Sequence, residues 1–180
     1  PEHGLTTSLL QTGRWRQGRI TVELRLDDAR SAVRQLADSY DVIFLDGFSP
    51  DKNPELWTYD FIRQLAQRLA PDGILATYSS AYPVLGALLR GGLTVGVADP
   101  FGRRRGGALA AWSGAAMVHP LPEKERCIVL RSTAGVPYRD PAGQWETGRI
   151  LRYREQLVAR LRRRGIPRWY RERPDGTNGG

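Results

Sequence analysis

The 180-residue chain is poor in the residues that build covalent or metal-held scaffolds. It has one cysteine, Cys127, and two histidines, His3 and His119. A single thiol excludes an intrachain disulfide and a multi-cysteine metal site. The histidines stand far apart and lack metal-ligand spacing, so no resident metal is expected. Cys127 is expected as a reduced, partly buried thiol of a cytoplasmic protein. No stretch reaches the roughly 20 apolar residues of a membrane span, and no membrane partner is expected. No signal-peptide pattern precedes the first helical stretch. Ser79 and Ser80 have no histidine near them in sequence, which leaves a hydrolase triad without support. Gly91-Gly92 follows no strand with G-x-G spacing and is not a phosphate loop.

What the chain has is a globular composition, 41% hydrophobic, with a formal net charge of +8. The charge is lopsided. Residues 1–100 hold 10 Lys/Arg and 12 Asp/Glu, and residues 101–180 hold 17 and 7, so the halves carry −2 and +10. Such asymmetry points to a polyanion, nucleic acid ahead of a membrane surface. A solvated arginine-rich face is the plainer alternative.

Ile20, Val22, Leu24 and Leu26 alternate with polar residues and predict a half-covered strand over 19–26. Asp28 follows it, placed to cap a helix over about 29–38 with Ala32, Val33 and Leu36 inward. Residues 41–45 are continuously apolar after Asp41, as strands buried in a parallel sheet are. A helix is predicted from Thr58 or Asp60 to about Leu69, then a turn at Pro71-Asp72-Gly73 and a strand over 74–78. Ser79-Ser80 should cap a helix over about 81–90 that ends at Gly91-Gly92. Strands over 93–97 and 108–112 flank the loop Phe101-Gly102-Arg103-Arg104-Arg105-Gly106-Gly107. The alternation predicts an α/β fold, a mostly parallel sheet with an antiparallel edge hairpin.

This domain is expected over residues 1–118. A connector with Pro120, Pro122, Pro137 and Pro141 should fill 119–145. A basic helical extension is expected over 146–173, its helix at 146–164 turning Ile150, Tyr153, Leu157 and Leu161 inward. Residues 174–180 should form a disordered tail.

The run Leu45 to Thr58, LDGFSPDKNPELWT, is the most informative segment. A carboxylate, Asp46, ends an apolar strand, where ligands of α/β sheets bind. Asp46 is either a site residue or a cap of its own turn. Two prolines stiffen the loop that presents Lys52, Asn53 and Trp57, and Trp57 is expected to pack the loop on the domain. Arg103, Arg104 and Arg105 are either solvated or in contact with phosphate.

Leu45-Asp46-Gly47-Phe48-Ser49-Pro50 with Lys52-Asn53-Pro54-Glu55-Leu56-Trp57 resembles the signature of the tRNA 5-methylaminomethyl-2-thiouridine methyltransferases. Leu75-Ala76-Thr77-Tyr78-Ser79 and Phe101 to Arg105 resemble that family's next two blocks, and the resemblance spans about residues 10–115. It implies a Rossmann-like class I methyltransferase fold and S-adenosylmethionine as cofactor. It also implies methyl transfer to the aminomethyl amine of the tRNA wobble uridine. With no FAD fingerprint, the chain looks like the stand-alone type, without FAD or metal.

By that resemblance Asp46 is the catalytic carboxylate, and Asp28, Ala29, Asp46, Gly47 and Phe48 contact the cofactor. Asp28 would accept from the adenine amine, although Asp27 stands where the family has glycine; a helix N-cap is the other role open to Asp28, and the two can coexist. Lys52, Arg103, Arg104 and Arg105 would meet the tRNA. Two alternatives stay open: a non-catalytic basic RNA-binding module, and a same-fold methyltransferase acting on another nucleophile. The family's first strand and glycine-rich turn are not found before residue 19, so the chain reads as the later part of its domain, N-terminally truncated, with weak cofactor binding on its own.

Overall fold

A computed structural model of the chain describes residues 2–100, 106–113 and 119–169. The chain divides into two compact units, Pro1–Gln35 and Leu36–Gly180.

The first unit holds helix α1 (Glu2–Thr12), strands β1 (Arg14–Gln17) and β2 (Ile20–Glu23), and helix α2 (Ala29–Gln35). The strand expected over 19–26 is shorter and belongs to no large sheet. It pairs antiparallel with β1, Gln17 opposite Ile20. Gly18, at φ 58°, takes the first place of the two-residue loop, where a primed hairpin turn needs positive φ. The alternation misled because Ile20 and Leu26 are 61% and 83% exposed. A two-stranded ribbon covers little of either face.

The second unit is built on a four-stranded sheet of order β3-β4-β6-β5: β3 (Tyr40–Leu45), β4 (Leu69–Thr77), β5 (Thr94–Val97) and β6 (Ala108–Ala111). β3 and β4 are parallel, and β6 runs antiparallel to both β4 and β5. Three strands therefore share a direction and β6 alone reverses. The expected hairpin of the last two strands is present, with β5 at the edge.

The face bearing Leu45, Leu75, Thr77, Val95, Ala108 and Ala110 is buried. Helices α3 (Tyr59–Ala66) and α4 (Tyr82–Arg90) pack against β4 and β5 respectively. The opposite face is open. Val42 is 51% and Phe44 80% exposed, and their cross-strand neighbours Ile74, Ala76 and Leu109 are half-buried. The expectation of a buried β3 is thus corrected: among the described residues it is an edge strand, paired on one side and covered on one face.

Pro71 and Asp72 lie within β4 rather than in a turn. The register slips there, from Tyr40 opposite Leu69 to Val42 opposite Ile74. A Cβ on Gly73 would meet the Tyr40 carbonyl oxygen at 2.9 Å, so glycine is what allows the irregularity. Thr58 caps α3 by accepting from the Phe61 N–H at 3.2 Å. The Ser79-Ser80 cap is not formed; Ala81 is the N-cap of α4 and Pro83 sits in its first turn. Gly92, at φ 90°, closes that helix as expected, with the Leu93 N–H donating to the Leu88 carbonyl.

The expected connector contains a helix, α5 (Glu123–Arg131), which buries Cys127 and Val129. Its acids, Glu123 and Glu125, lie in the first turn and Arg131 in the last, the order a helix dipole favours. Helix α6 (Thr147–Arg163) falls within one residue of its predicted ends. Its inward stripe is different at one place: Tyr153 is 39% exposed and Arg154 is the residue turned to the domain, donating to the Val136 carbonyl at 2.8 Å. The tail expected at 174–180 lies outside the described residues.

Candidate active site

β3 and β4 end side by side, Leu45 opposite Thr77. The residues that follow them, Asp46-Gly47-Phe48 and Tyr78-Ser79, therefore meet at one end of the sheet. The Tyr78 hydroxyl donates to the Gly47 carbonyl at 2.8 Å. The Trp57 indole N–H donates to the Phe48 carbonyl at 2.7 Å, from a ring with no exposed surface. The Trp57 and Tyr78 rings meet edge to face, centroids 5.7 Å apart. Trp57 is the packing residue the sequence suggested, and it holds the loop backbone as well. A third segment reaches this end: the backbone of Gly107 lies against Thr77 and Tyr78 where a Cβ has no room. Gly107 thus lies beside Tyr78. Arg103, Arg104 and Arg105 themselves lie outside the described residues.

Asp46 is exposed and makes no hydrogen bond or ion pair with any described residue. It does not cap its own turn. The turn is closed by the Lys52 and Asn53 N–H groups donating to the Ser49 carbonyl, at 2.8 and 2.9 Å. Phe48 is 81% exposed, and the Lys52 side chain is exposed with no partner among the described residues.

The neighbouring carboxylates are all engaged. Glu55 accepts from Asn53 at 2.7 Å and from the Thr147 hydroxyl at the start of α6. Asp51 accepts from the Tyr138 hydroxyl at 3.4 Å. Asp60 accepts from Arg139 at 2.9 and 3.1 Å and from the Asp140 N–H at 2.8 Å. Asp60 also raises the Arg139 guanidinium above its ordinary pKa. Burial raises the Tyr138 phenol above its ordinary value, with Asp51 acting in the same direction. Asp140, almost fully buried, accepts from the Gln144 and Trp145 N–H groups, both at 3.1 Å. Residues 138–147 therefore brace the loop that carries Asp46. Sequence reasoning missed Tyr78, Asp60, Tyr138, Arg139 and Thr147 in this role.

Asp28 and Ala29 belong to the first unit. Asp28 caps α2: its carboxylate accepts the Arg30 N–H at 2.8 Å and the Arg30 guanidinium at 2.7 Å. Arg30 holds that carboxyl below the usual carboxylate range. The N-cap alternative is therefore realised. Ala29 opens α2 and is exposed.

S-adenosylmethionine is a sulfonium cation with an adenine ring, and the donor set suits part of it. The unpaired Asp46 carboxylate matches a cationic centre, and the exposed Phe48 ring offers a flat apolar wall. Among the described residues no strand leads through a glycine-rich turn into a helix.

The chain belongs to the S-adenosyl-L-methionine-dependent methyltransferases, whose family model matches residues 5–113. Among solved structures it is similar to the crystal structure of MNMC2 from Aquifex aeolicus. The identity is 34% and the TM-score 0.75, covering 86% of this chain and 50% of that one. An uncharacterised protein of Methanocaldococcus jannaschii is 31% identical over 145 residues, 81% of this chain and 41% of the relative. The tRNA 5-methylaminomethyl-2-thiouridine biosynthesis bifunctional protein MnmC of Ralstonia nicotianae is 37% identical over 125 residues, 66% of this chain and 19% of the relative. The chain thus spans half or less of the length of each of these proteins. No described helix is long and apolar enough to cross a membrane.

Proposed function

We propose that this chain carries the acceptor side of a tRNA methyltransferase acting in the cytoplasm, which methylates the aminomethyl amine of the wobble uridine. The observation that carries the reading is the isolation of Asp46. It is the one carboxylate of the 46–60 segment without a partner among the described residues, on a backbone pinned by Trp57 and Tyr78. The name of the Ralstonia protein, which specifies tRNA 5-methylaminomethyl-2-thiouridine biosynthesis, supports the choice of substrate.

When bound, S-adenosylmethionine would supply an electrophilic methyl group on sulfur, the S–CH3 bond breaking so that the sulfur leaves as the neutral thioether of S-adenosylhomocysteine. The amine must be neutral to attack, because an ammonium has no lone pair. Asp46 accepts a hydrogen bond from the amine, orients its lone pair, and takes its proton as the new N–C bond forms. Phe48 borders the uracil ring, and Lys52 meets a phosphate of the tRNA. Arg103, Arg104 and Arg105 add phosphate contacts, and Asp28 with Ala29 borders the adenine.

The open β3 edge and the exposed Val42 and Phe44 support a second part of the proposal. A parallel strand with its helix, from outside residues 1–180, completes the sheet there and brings the glycine-rich turn for the methionine end. Without it, S-adenosylmethionine binding by the 180-residue chain should be weaker than micromolar. Calorimetry returning micromolar affinity would remove this part.

The test of function is nucleoside analysis of tRNA carrying 5-aminomethyluridine, after incubation with cofactor and a chain extended to the length of the Aquifex protein. The expected product is 5-methylaminomethyluridine, formed by the wild type and not by Asp46→Asn. Methylation elsewhere assigns another nucleophile. No methylation with intact tRNA binding leaves a binding module.

A further inference from the structure

A cavity of about 300 Å³ lies between the start of α4 and helix α6, apart from Asp46 and its loop. Its wall includes two aromatic rings, Tyr82 and Trp169, and three guanidinium groups, Arg154, Arg162 and Arg168. It contains no carboxylate. A merely solvated arginine surface has no reason to be concave, aromatic and free of acids at once.

The three arginines do different work. Arg154 serves the fold: it donates to the Val136 and Ala134 carbonyls at 2.8 and 3.4 Å and stacks on Tyr138 at 5.1 Å. Burial pushes its guanidinium below the ordinary value, with Tyr138 opposing that shift. Arg162 makes one long contact, from Nε to the Thr133 hydroxyl at 3.4 Å, and its terminal nitrogens have no partner among the described residues. Arg168 is exposed and forms no ion pair among them. Two uncommitted cations thus face the cavity beside one that fixes its wall.

The rings meet edge to face, centroids 5.4 Å apart, and Trp169 keeps 46% of its surface exposed. An indole face left open beside guanidinium groups suits a flat ring that carries a negative group. That is the chemistry of a nucleotide, whose base stacks and whose phosphate takes bidentate hydrogen bonds.

We propose that this cavity holds one nucleotide of the substrate RNA, distinct from the nucleotide that is methylated. Its base lies against Trp169 and Tyr82, and its phosphate meets Arg162 and Arg168. The proposal rests on the RNA substrate of the preceding section and extends it to a second anchoring point.

The test is tRNA binding by the 180-residue chain, read by fluorescence anisotropy over a series of salt concentrations. Arg162→Gln with Arg168→Gln should weaken binding and lower the salt slope by about 1, the worth of one phosphate no longer neutralised. Trp169→Leu should weaken binding about tenfold, and Trp169→Phe, which keeps a stacking face, should recover most of it. Wild-type affinity and slope in all these variants overturn the proposal. So does tRNA that fails to bind the wild-type chain. Free uridine monophosphate is the second probe. If it quenches tryptophan fluorescence saturably, loses that effect in Trp169→Leu, and tRNA affinity stays unchanged, the cavity serves a free nucleotide instead, which overturns the proposal too. Methylated nucleosides, assayed separately in the extended chain, keep the two readings apart. Normal methylation with unaltered binding in the variants removes the cavity proposal only. Weakened binding in the variants with no methylated product removes the methylation reading only.

Discussion

Asp46 and Asp60 are both acidic residues of the second unit, fourteen positions apart, and the structure uses them in opposite ways. Asp60 is mostly buried and takes three hydrogen bonds from Arg139 and Asp140. Asp46 is exposed and takes none from the described residues. A carboxylate with its lone pairs filled stabilises a fold. One whose lone pairs accept no hydrogen bond from the described residues, on a loop whose carbonyls are held by Tyr78 and Trp57, is available to a ligand. The difference separates residues that brace a site from the residue the brace presents.

Substitutions should break the contrast cleanly. The largest effect is expected from Asp46→Asn in the extended chain. Methyl transfer should fall by about 10²–10⁴-fold, the usual worth of a positioned acid or base, with the thermal midpoint unchanged. Kinetics and a melting curve on the same sample check both halves. Next is Asp60→Ala, which strands Arg139 and should cost about 3 kcal/mol in denaturant unfolding. A double-mutant cycle with Arg139→Ala should return most of that as coupling; full additivity would show that the pair does not brace the loop.

A smaller effect belongs to Asp28. Its folded pKa is depressed, mainly by Arg30, so its contribution is present above the unfolded carboxylate value. That contribution is lost as pH falls through the lower folded value. Asp28→Ala should therefore cost about 1 kcal/mol at pH 7 and nothing once both states are protonated, as acid titration of unfolding would read. The smallest is Phe44→Ser: within about 0.5 kcal/mol for the 180-residue chain, because the ring is already exposed. In the extended chain the same change should cost several times more if a further strand and helix cover it. Equal costs in both chains would argue against that cover.

Much of this was legible in the sequence where local signals and packing agree. The strand ends of β3 and β4, the Thr58 cap, the Gly92 stop and α6 follow from apolar runs, capping residues and glycine chemistry. The position of Asp46 could be read for the same reason. What stayed hidden depends on partners distant in sequence. Nothing near Asp60 indicates Arg139, 79 residues on, and nothing near Glu55 indicates Thr147. The covered or open state of β3 was equally illegible, since an apolar run reads alike whether neighbours lie on one side or two. The hairpin β1–β2 failed by the opposite route: its period was real, but a ribbon of two strands has no core to turn it toward.

The unpaired edge of β3 also has a consequence for handling the protein. Among the described residues that strand has no partner along one edge, which lies beside the exposed side chains of Val42 and Phe44. Such an edge is a template on which a second copy can add its own β3. The average mass of the 180-residue chain in sedimentation should then rise with concentration. Val42→Lys or Phe44→Lys should keep it monomeric, because a charge on an open edge is how strands are kept from joining.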